Sequence, residues 1–531
     1  MSCFSFCEKD HPTPLPLYRS ITGTGNNADH PGWGATGATL LRLSPATYAD
    51  GKGVMIGQST PREISNALCV QNNDDPVKFT QLLTVWGQFL DHELDLTVTG
   101  SEGASMVTPN DPCPPPAKFE GCEKWPGRTI PFTRAKFHLD KDGVRQYANE
   151  ITSFIDASNV YGSTPDRADY LRKKDGSGKL KFSEHDGAHY LPYNKDELPN
   201  ESLPGQDPKT MYLAGDVRAN ENALLTAMHT LFMREHNLRC DEIKKEFPEL
   251  DGENLYQKAR AWVAALMQVI TYKEFLPILM GRHAPKCVPY DEKINPGIAI
   301  EFAGAAYRFG HSLVSQTVPI TEDHGTLTLQ LTDCFFQPSL ISKYGIDGFL
   351  FGARTHAMQK LDLKIVPALR SFLFESPSIE FLHDLASLNL QRGRDEGISK
   401  YNAVRTAYGL PCKKVWHEVT KCVETQERLK TVFTSPSDMD LWVGCLAEDP
   451  VYGMCGELLH AVLFDQFSRL QRGDRYWHTR DPSLSEKEKY LLSKMTLGDV
   501  ICRNTSLKPV KTGHNVFLEQ ETSWCMKFCH S

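Results

Sequence analysis

The run Trp86-Gly-Gln-Phe-Leu-Asp-His-Glu-Leu-Asp95 constrains this chain more than any other stretch. Apolar residues at 79, 82, 83, 86, 89 and 90 follow helical spacing, which predicts a helix from Phe79 to Leu96 with one side in a core. On that helix Gln88, Asp91, His92 and Asp95 stand at i, i+3, i+4 and i+7 and share a second face. If that face points inward it needs partners or a cofactor, because each unsatisfied buried polar group costs about 1–3 kcal/mol. If it points outward it is a solvated face with a surface histidine. Spacing alone leaves both readings open.

Similar helical patterns at 218–240, 255–280 and 454–470, with few strand signals, give a mainly α class. A length of 531 residues allows one very large domain or three ordinary ones. Pro- and Gly-rich stretches at 11–34, 108–127 and 188–208 read as loops rather than linkers, and no repeat appears. The expectation is a single domain over 1–531, with residues 1–50 as an extended N-terminal arm.

A formal charge of −8 argues against a dedicated nucleic-acid binder and against a polybasic membrane anchor. No apolar run approaches the roughly 20 residues of a membrane span. The polar start (Cys3, Cys7, Glu8, Lys9, Asp10) lacks a signal's apolar core, so the chain is expected to be soluble, with any signal already removed. Fifteen cysteines are many for a reducing compartment, and Cys113 and Cys122 bracket CPPPAKFEGC, where three prolines favour a stapled bend. With the sequons at Asn200 and Asn504, this points to a secreted or secretory-vesicle protein.

Three further stretches carry chemistry. Ala214-Gly-Asp-Val-Arg-Ala-Asn-Glu-Asn222 is read as opening a long helix with Arg218 and Glu221 at i, i+3, where Glu221 could simply serve the helix N-terminus. Tyr307-Arg-Phe-Gly-His311 places one histidine after a glycine that permits close approach. Leu388-Asn-Leu-Gln-Arg-Gly-Arg-Asp395 is dense in hydrogen-bonding groups. Gly32-Trp-Gly-Ala-Thr-Gly37 fits a dinucleotide pattern but follows a proline with no strand before it, so it reads as a turn. Arg472-Gly-Asp474 reads as a turn, with a cell-adhesion ligand as the alternative. His229 and His236 lack an H-E-x-x-H pattern and read as core.

Taken in order, these motifs resemble the animal haem peroxidases over nearly the whole chain. The likeness begins at Tyr18-Arg-Ser-Ile-Thr-Gly23 and Asn26-Asn27 and continues through WGQFLDHELD, TSFIDASNVYGS, LAGDVRANEN, MREHN, ITYKEFLP, YRFGHS and LNLQRGRDEG. It ends with DRYW at 474–477 and ICRNT at 501–505. The resemblance implies a helical domain around a central haem b, and an enzyme that reduces hydrogen peroxide and oxidises halide, thiocyanate or phenols through a ferryl intermediate. It makes His311 the iron ligand, with the Asn389 amide oxygen accepting the other ring N–H. His92 becomes the distal acid–base, Arg218 the distal cation and Gln88 the distal amide. Asp91 and Glu221 match ester links to the haem, while Arg308 and Arg392 are suitable propionate or pocket partners. Some members have a methionine directly after the ester-forming glutamate. Here that position is Asn222, which excludes a sulfonium link.

The resemblance also implies a calcium ion held by Thr152, Phe154, Asp156 and Ser158 with the residue after the distal histidine, here Glu93 instead of the family's aspartate. By analogy Cys113 pairs with Cys122 and Cys502 with Cys525. A monomer acting on hydrogen peroxide and small donors, without nucleic acid or membrane partners, is expected. A fatty-acid oxygenase of the related cyclooxygenase branch is the other enzyme reading, but that branch has a different proximal motif.

Overall fold

The computed structural model describes residues 16–57, 59–71, 75–107, 129–322, 325–371, 373, 383–507 and 515–519. Helices dominate, and the described strands form five separate two-stranded antiparallel sheets, as the mainly α reading expects. One contiguous core extends along the chain from Leu40 to Phe517.

Helix α1 (Gln81–Leu94) sits at its centre. Leu82, Leu83, Trp86, Phe89 and Leu90 are wholly buried, which locks the apolar side in the core and aims the polar side into a cavity. The short helix α2 (Ser158–Tyr161) and the long helix α3 (Ala223–Glu246) pack against α1. The observed start of α3 corrects the expected one. Residues 214–222 are a loop, and Asn222 caps the helix by accepting the N–H of Leu225 at 3.0 Å. Glu221 therefore lies outside the helix and is free to face the cavity.

Helix α4 (Gly252–Ile270), capped by Asp251, runs on through a widened π turn at Thr271–Phe275 into Leu276–Met280. Pro277 follows the wide turn and has no N–H to offer the carbonyl four residues back. Contrary to the sequence reading, 252–283 is long and apolar enough to cross a membrane, but 78% of its most apolar window is buried inside the protein. It is a core helix. Helices α5 (Leu385–Asp395) and α6 (Glu457–Arg472) complete the frame.

The described part of the arm is a run of turns and bends rather than an extended segment, stitched to the body by bridges from Thr39 to Ala148 and Leu41 to Ala299. Its main anchor is Arg19, whose guanidinium donates to both carboxylate oxygens of Asp474 at 3.2 and 2.9 Å. Asn26, the Tyr476 N–H and Gln268 also donate to Asp474, which is 1% exposed. Arg472 pairs with Asp291. The Arg-Gly-Asp tripeptide is thus an internal staple, and the adhesion alternative fails because its carboxylate is spent inside the fold. The turn reading of 32–37 agrees with positive φ at Gly34 and Gly37.

No bridge joins two described cysteines: all nine, Cys502 included, are free of each other. Cys113, Cys122 and Cys525 lie outside the described residues. At Asn504, both hydrogens of the amide are used, on the buried Glu235 carboxylate at 2.7 Å and on Val500 O at 2.9 Å. Asn200 uses one, on Tyr212 O.

Replacing Asp474 with alanine strands the buried Arg19 charge and should cost about 3–5 kcal/mol, read as a clear fall in thermal midpoint. A midpoint equal to that of the unsubstituted protein would show that the arm is not anchored there.

Candidate active site

A cavity of about 390 Å³ opens between α1, the 214–222 loop, α5 and the 3₁₀ segment Ala306–Leu313. From α1 come Gln88, Asp91, His92 and Asp95, the four positions that helical spacing put on one face. Arg218 and Glu221 enter from the loop, His311 and Arg308 from the 3₁₀ segment, and Arg392 from α5. The inward reading of the polar face is the correct one.

The loop is placed by a glycine. A Cβ at position 215 would collide with the backbone of Ser158, Tyr161 and Gly162, so the loop lies directly on α2. Asp216 N–H donates to Asn159 O at 2.9 Å and fixes the next residue. The Asp216 carboxylate then accepts Arg218 N–H at 2.8 Å, Nε at 2.9 Å and Nη2 at 2.8 Å. Arg218 also reaches Asp95 O, and its Nη1 lies 3.9 Å from Asp91. Burial works against the guanidinium charge, but Asp216 outweighs it and holds the arginine firmly cationic.

His92 is 4% exposed. Burial, and then the Arg218 charge, push its pKa well below the usual histidine range, against the opposing pull of Asp216, so the ring is a neutral base. Its Nε2 stands 3.8 Å from Glu221. Burial and Glu201 raise the Glu221 carboxyl to about 8, and burial also raises Asp91. Glu221 is therefore largely protonated at neutral pH, and burial pushes Asp91 in the same direction against the pull of Arg218. Gln88 is oriented by Asn222, whose Nδ2 donates to Gln88 Oε1 at 2.9 Å and leaves the glutamine N–H groups for the cavity.

Burial, and secondarily Arg308, bring His311 down to about 3, so this ring is neutral as a metal ligand must be. Asn389 touches it as expected, but with the amide reversed: Nδ2 lies 2.8 Å from His311 Nδ1. In that rotamer the ring proton sits on Nε2. A half-turn of the amide puts Oδ1 there, accepts Nδ1–H and frees the Nε2 lone pair for a metal. Arg308 is held by Ala303 O, and Arg392 by Asp395 and Thr133 O across the Phe132 ring.

The residues expected to bind calcium do come together, with the Glu93 carboxyl turned onto backbone N–H groups. Its carboxylate accepts the N–H groups of Asp156 at 2.6 Å, Ala157, and Asn159 at 2.9 Å, with the Ser158 hydroxyl at 3.4 Å. Those four donors use all four lone-pair sites of a carboxylate. Thr152 donates to Asp156 Oδ1, and Asp156 Oδ2 is the one buried carboxylate oxygen of the loop without a partner. The longer Glu93 thus reaches the N–H groups that ring the loop, and Asp156 Oδ2 is the carboxylate oxygen left free there. Sequence reading missed Asp216 and Glu201 as well. Asp216 was signalled by its place two residues before Arg218, whereas Glu201 lies in a loop with no pattern to mark it.

A family profile described as Animal haem peroxidase matches residues 18–517. The chain is 33% identical to lactoperoxidase of Mesocricetus auratus, over 94% of this chain and 78% of that protein. It is 31% identical to peroxinectin A of Dictyostelium discoideum, over 92% and 93%. The solved structure of peroxidase A from Dictyostelium discoideum superposes with a TM-score of 0.86 at 29% identity, covering 94% of this chain and 99% of that one. A fatty acid alpha-dioxygenase of Arabidopsis thaliana matches at TM-score 0.77 and 19% identity, over 96% and 84%, a likeness of fold alone.

Chelation should leave the thermal midpoint unchanged to within about 2 °C, whereas Glu93→Ala, which strips the N–H groups of Asp156, Ala157 and Asn159 of their buried acceptor, should lower it by several degrees. A large chelator-induced fall, reversed by calcium, would restore the metal reading.

Proposed function

Because this chain belongs to the animal haem peroxidase family, we propose that His92, Arg218 and Gln88 form its peroxide-reducing face and that its donors are small anions or phenols. Members of the family are peroxidases, so the protein is a haem peroxidase with hydrogen peroxide as its oxidising substrate. The observation that carries the residue-level reading is that two neutral histidines, from opposite parts of the chain, line one cavity into which a clamped arginine also reaches.

The donor set suits a haem. His311 is the group to hold its iron once Asn389 accepts Nδ1–H, and Arg308 and Arg392 are cations placed for its propionates. Asp91 and Glu221 are the carboxyls for ester attachment, and burial shifts both toward the neutral form, which lessens repulsion with a porphyrin's own carboxylates. When bound, haem supplies the redox chemistry, accepting oxidising equivalents from peroxide and passing them singly or in pairs to a donor.

The protein's own part is proton handling. His92, neutral and with Nε2 toward the cavity, takes the proton from the near oxygen of hydrogen peroxide and delivers it to the far oxygen, which departs as water. Arg218 stays charged throughout and stabilises the negative charge that develops as that bond breaks. The N–H groups of Gln88 offer a hydrogen bond to a small anion beside the reacting oxygen. Phenols need only reach the cavity edge, since electrons travel without close polar contact.

His92→Ala should slow the reaction with peroxide by about 10²–10⁴-fold in stopped flow, and a loss below about tenfold would contradict the acid–base role. After peroxide treatment, acidic solvent should leave haem on the protein. Free protohaem in the extract would count against the links at Asp91 and Glu221.

A further inference from the structure

We infer that Asp216 is a positioning residue for peroxide reduction, which at once clamps Arg218 and holds the proton of His92 on Nδ1. The inference rests on the acid–base reading of His92 above. Asp216 is 3% exposed and lies behind both groups as seen from the cavity, which it does not line.

Its Oδ1 accepts Arg218 N–H and Nε, its Oδ2 accepts Nη2, and Oδ1 lies 3.6 Å from His92 Nδ1. That last distance is too long for a hydrogen bond, and His92 Nδ1 is buried with no hydrogen-bond partner. The carboxylate therefore acts on the ring as a fixed charge. A neutral imidazole turned toward an anion is stabilised with N–H on the near side and destabilised with its lone pair there. Nδ1–H facing Asp216 leaves the Nε2 lone pair for the cavity, which is the tautomer a proton acceptor needs.

The other groups facing His92 do not supply this preference. Arg218 is a cation, Glu221 lies on the Nε2 side, and His229 and His311 are neutral. Nor can Asp216 drift: Gly215 is pressed on the α2 backbone and Asp216 N–H is held by Asn159. A guanidinium and an imidazole set by one buried carboxylate keep a constant relative placement, and peroxide has to meet both together.

The test separates two steps of turnover in the haem-loaded enzyme, followed by absorption and normalised to haem content. Asp216→Asn should slow the reaction with peroxide by about a hundredfold, while the later oxidation of a small phenol stays within about threefold of wild type. Equal falls in both steps mark a merely structural residue and overturn the inference, as does peroxide reactivity within about threefold of wild type. Asp216→Glu covers the case in which the asparagine variant does not fold. It keeps the charge but cannot keep both contacts, so it should slow the peroxide step by at least about tenfold, and wild-type rates in it also overturn the inference. His92→Ala distinguishes the two readings. If it retains peroxide reactivity, the acid–base reading itself fails, whereas its loss beside an unaffected Asp216→Asn removes only the role of Asp216.

Discussion

The carboxylate of Glu93 fixes more of this molecule than any other single group. It points away from the cavity, one residue after His92, and gathers the N–H groups of Asp156, Ala157 and Asn159. Three hydrogen bonds on one buried group tie α1 to the loop that leads into α2. The loop bends to meet them, with Ala157 at φ 64°, a left-handed conformation that a non-glycine residue keeps only when its surroundings impose it. From there the order propagates: Asn159 donates to Phe89 O on α1 and accepts from Asp216 N–H, and Asp216 holds Arg218. The base and the cation of the site are thus referred to one rigid junction.

Much of this was legible in the sequence where a period or a motif carried it. The α1 pattern placed Gln88, Asp91, His92 and Asp95 on a cavity face, and all four are there. Long helices were expected near 218–240, 255–280 and 454–470, and they appear with shifted ends. The errors arise where a local pattern has two solutions. Glu221 looked like a first-turn acid because glutamate is favoured there, but Asn222, one residue later, is the better cap and starts the helix after it. At Glu93, spacing cannot say whether a carboxylate meets a cation or a ring of N–H groups. The apolar length of the 252–283 stretch was underestimated because Gln268, Lys273 and Glu274 break it into shorter apolar runs although its mean hydropathy is high.

The arm shows how a surface motif becomes internal. Arg-Gly-Asp reads as an exposed turn only if its aspartate has no obligation inside the fold. Here Asp474 is the one carboxylate on which the arm's Arg19 and Asn26 and α4's Gln268 converge. A buried ion pair of this kind adds little net stability over an apolar substitute, but it specifies which segment docks, because any wrong partner leaves a charge uncompensated. Arg260 on α4 extends the specification by donating to the backbone carbonyls of Arg19 and Ser20.

The two cavity histidines begin with the same chemistry and differ in what stands behind them. Both are neutral because burial penalises the imidazolium. Behind His311 stands the uncharged amide of Asn389, with Arg308 nearby, and burial leaves that ring neutral. Behind His92 stands the anionic Asp216, which opposes the effect of Arg218, although burial still holds that ring well below the usual histidine range. A ligand must not protonate and leave its metal, whereas a base must protonate and then release. Under the proposed roles, an amide behind one ring suits the first duty and a carboxylate behind the other suits the second, without any difference between the rings themselves.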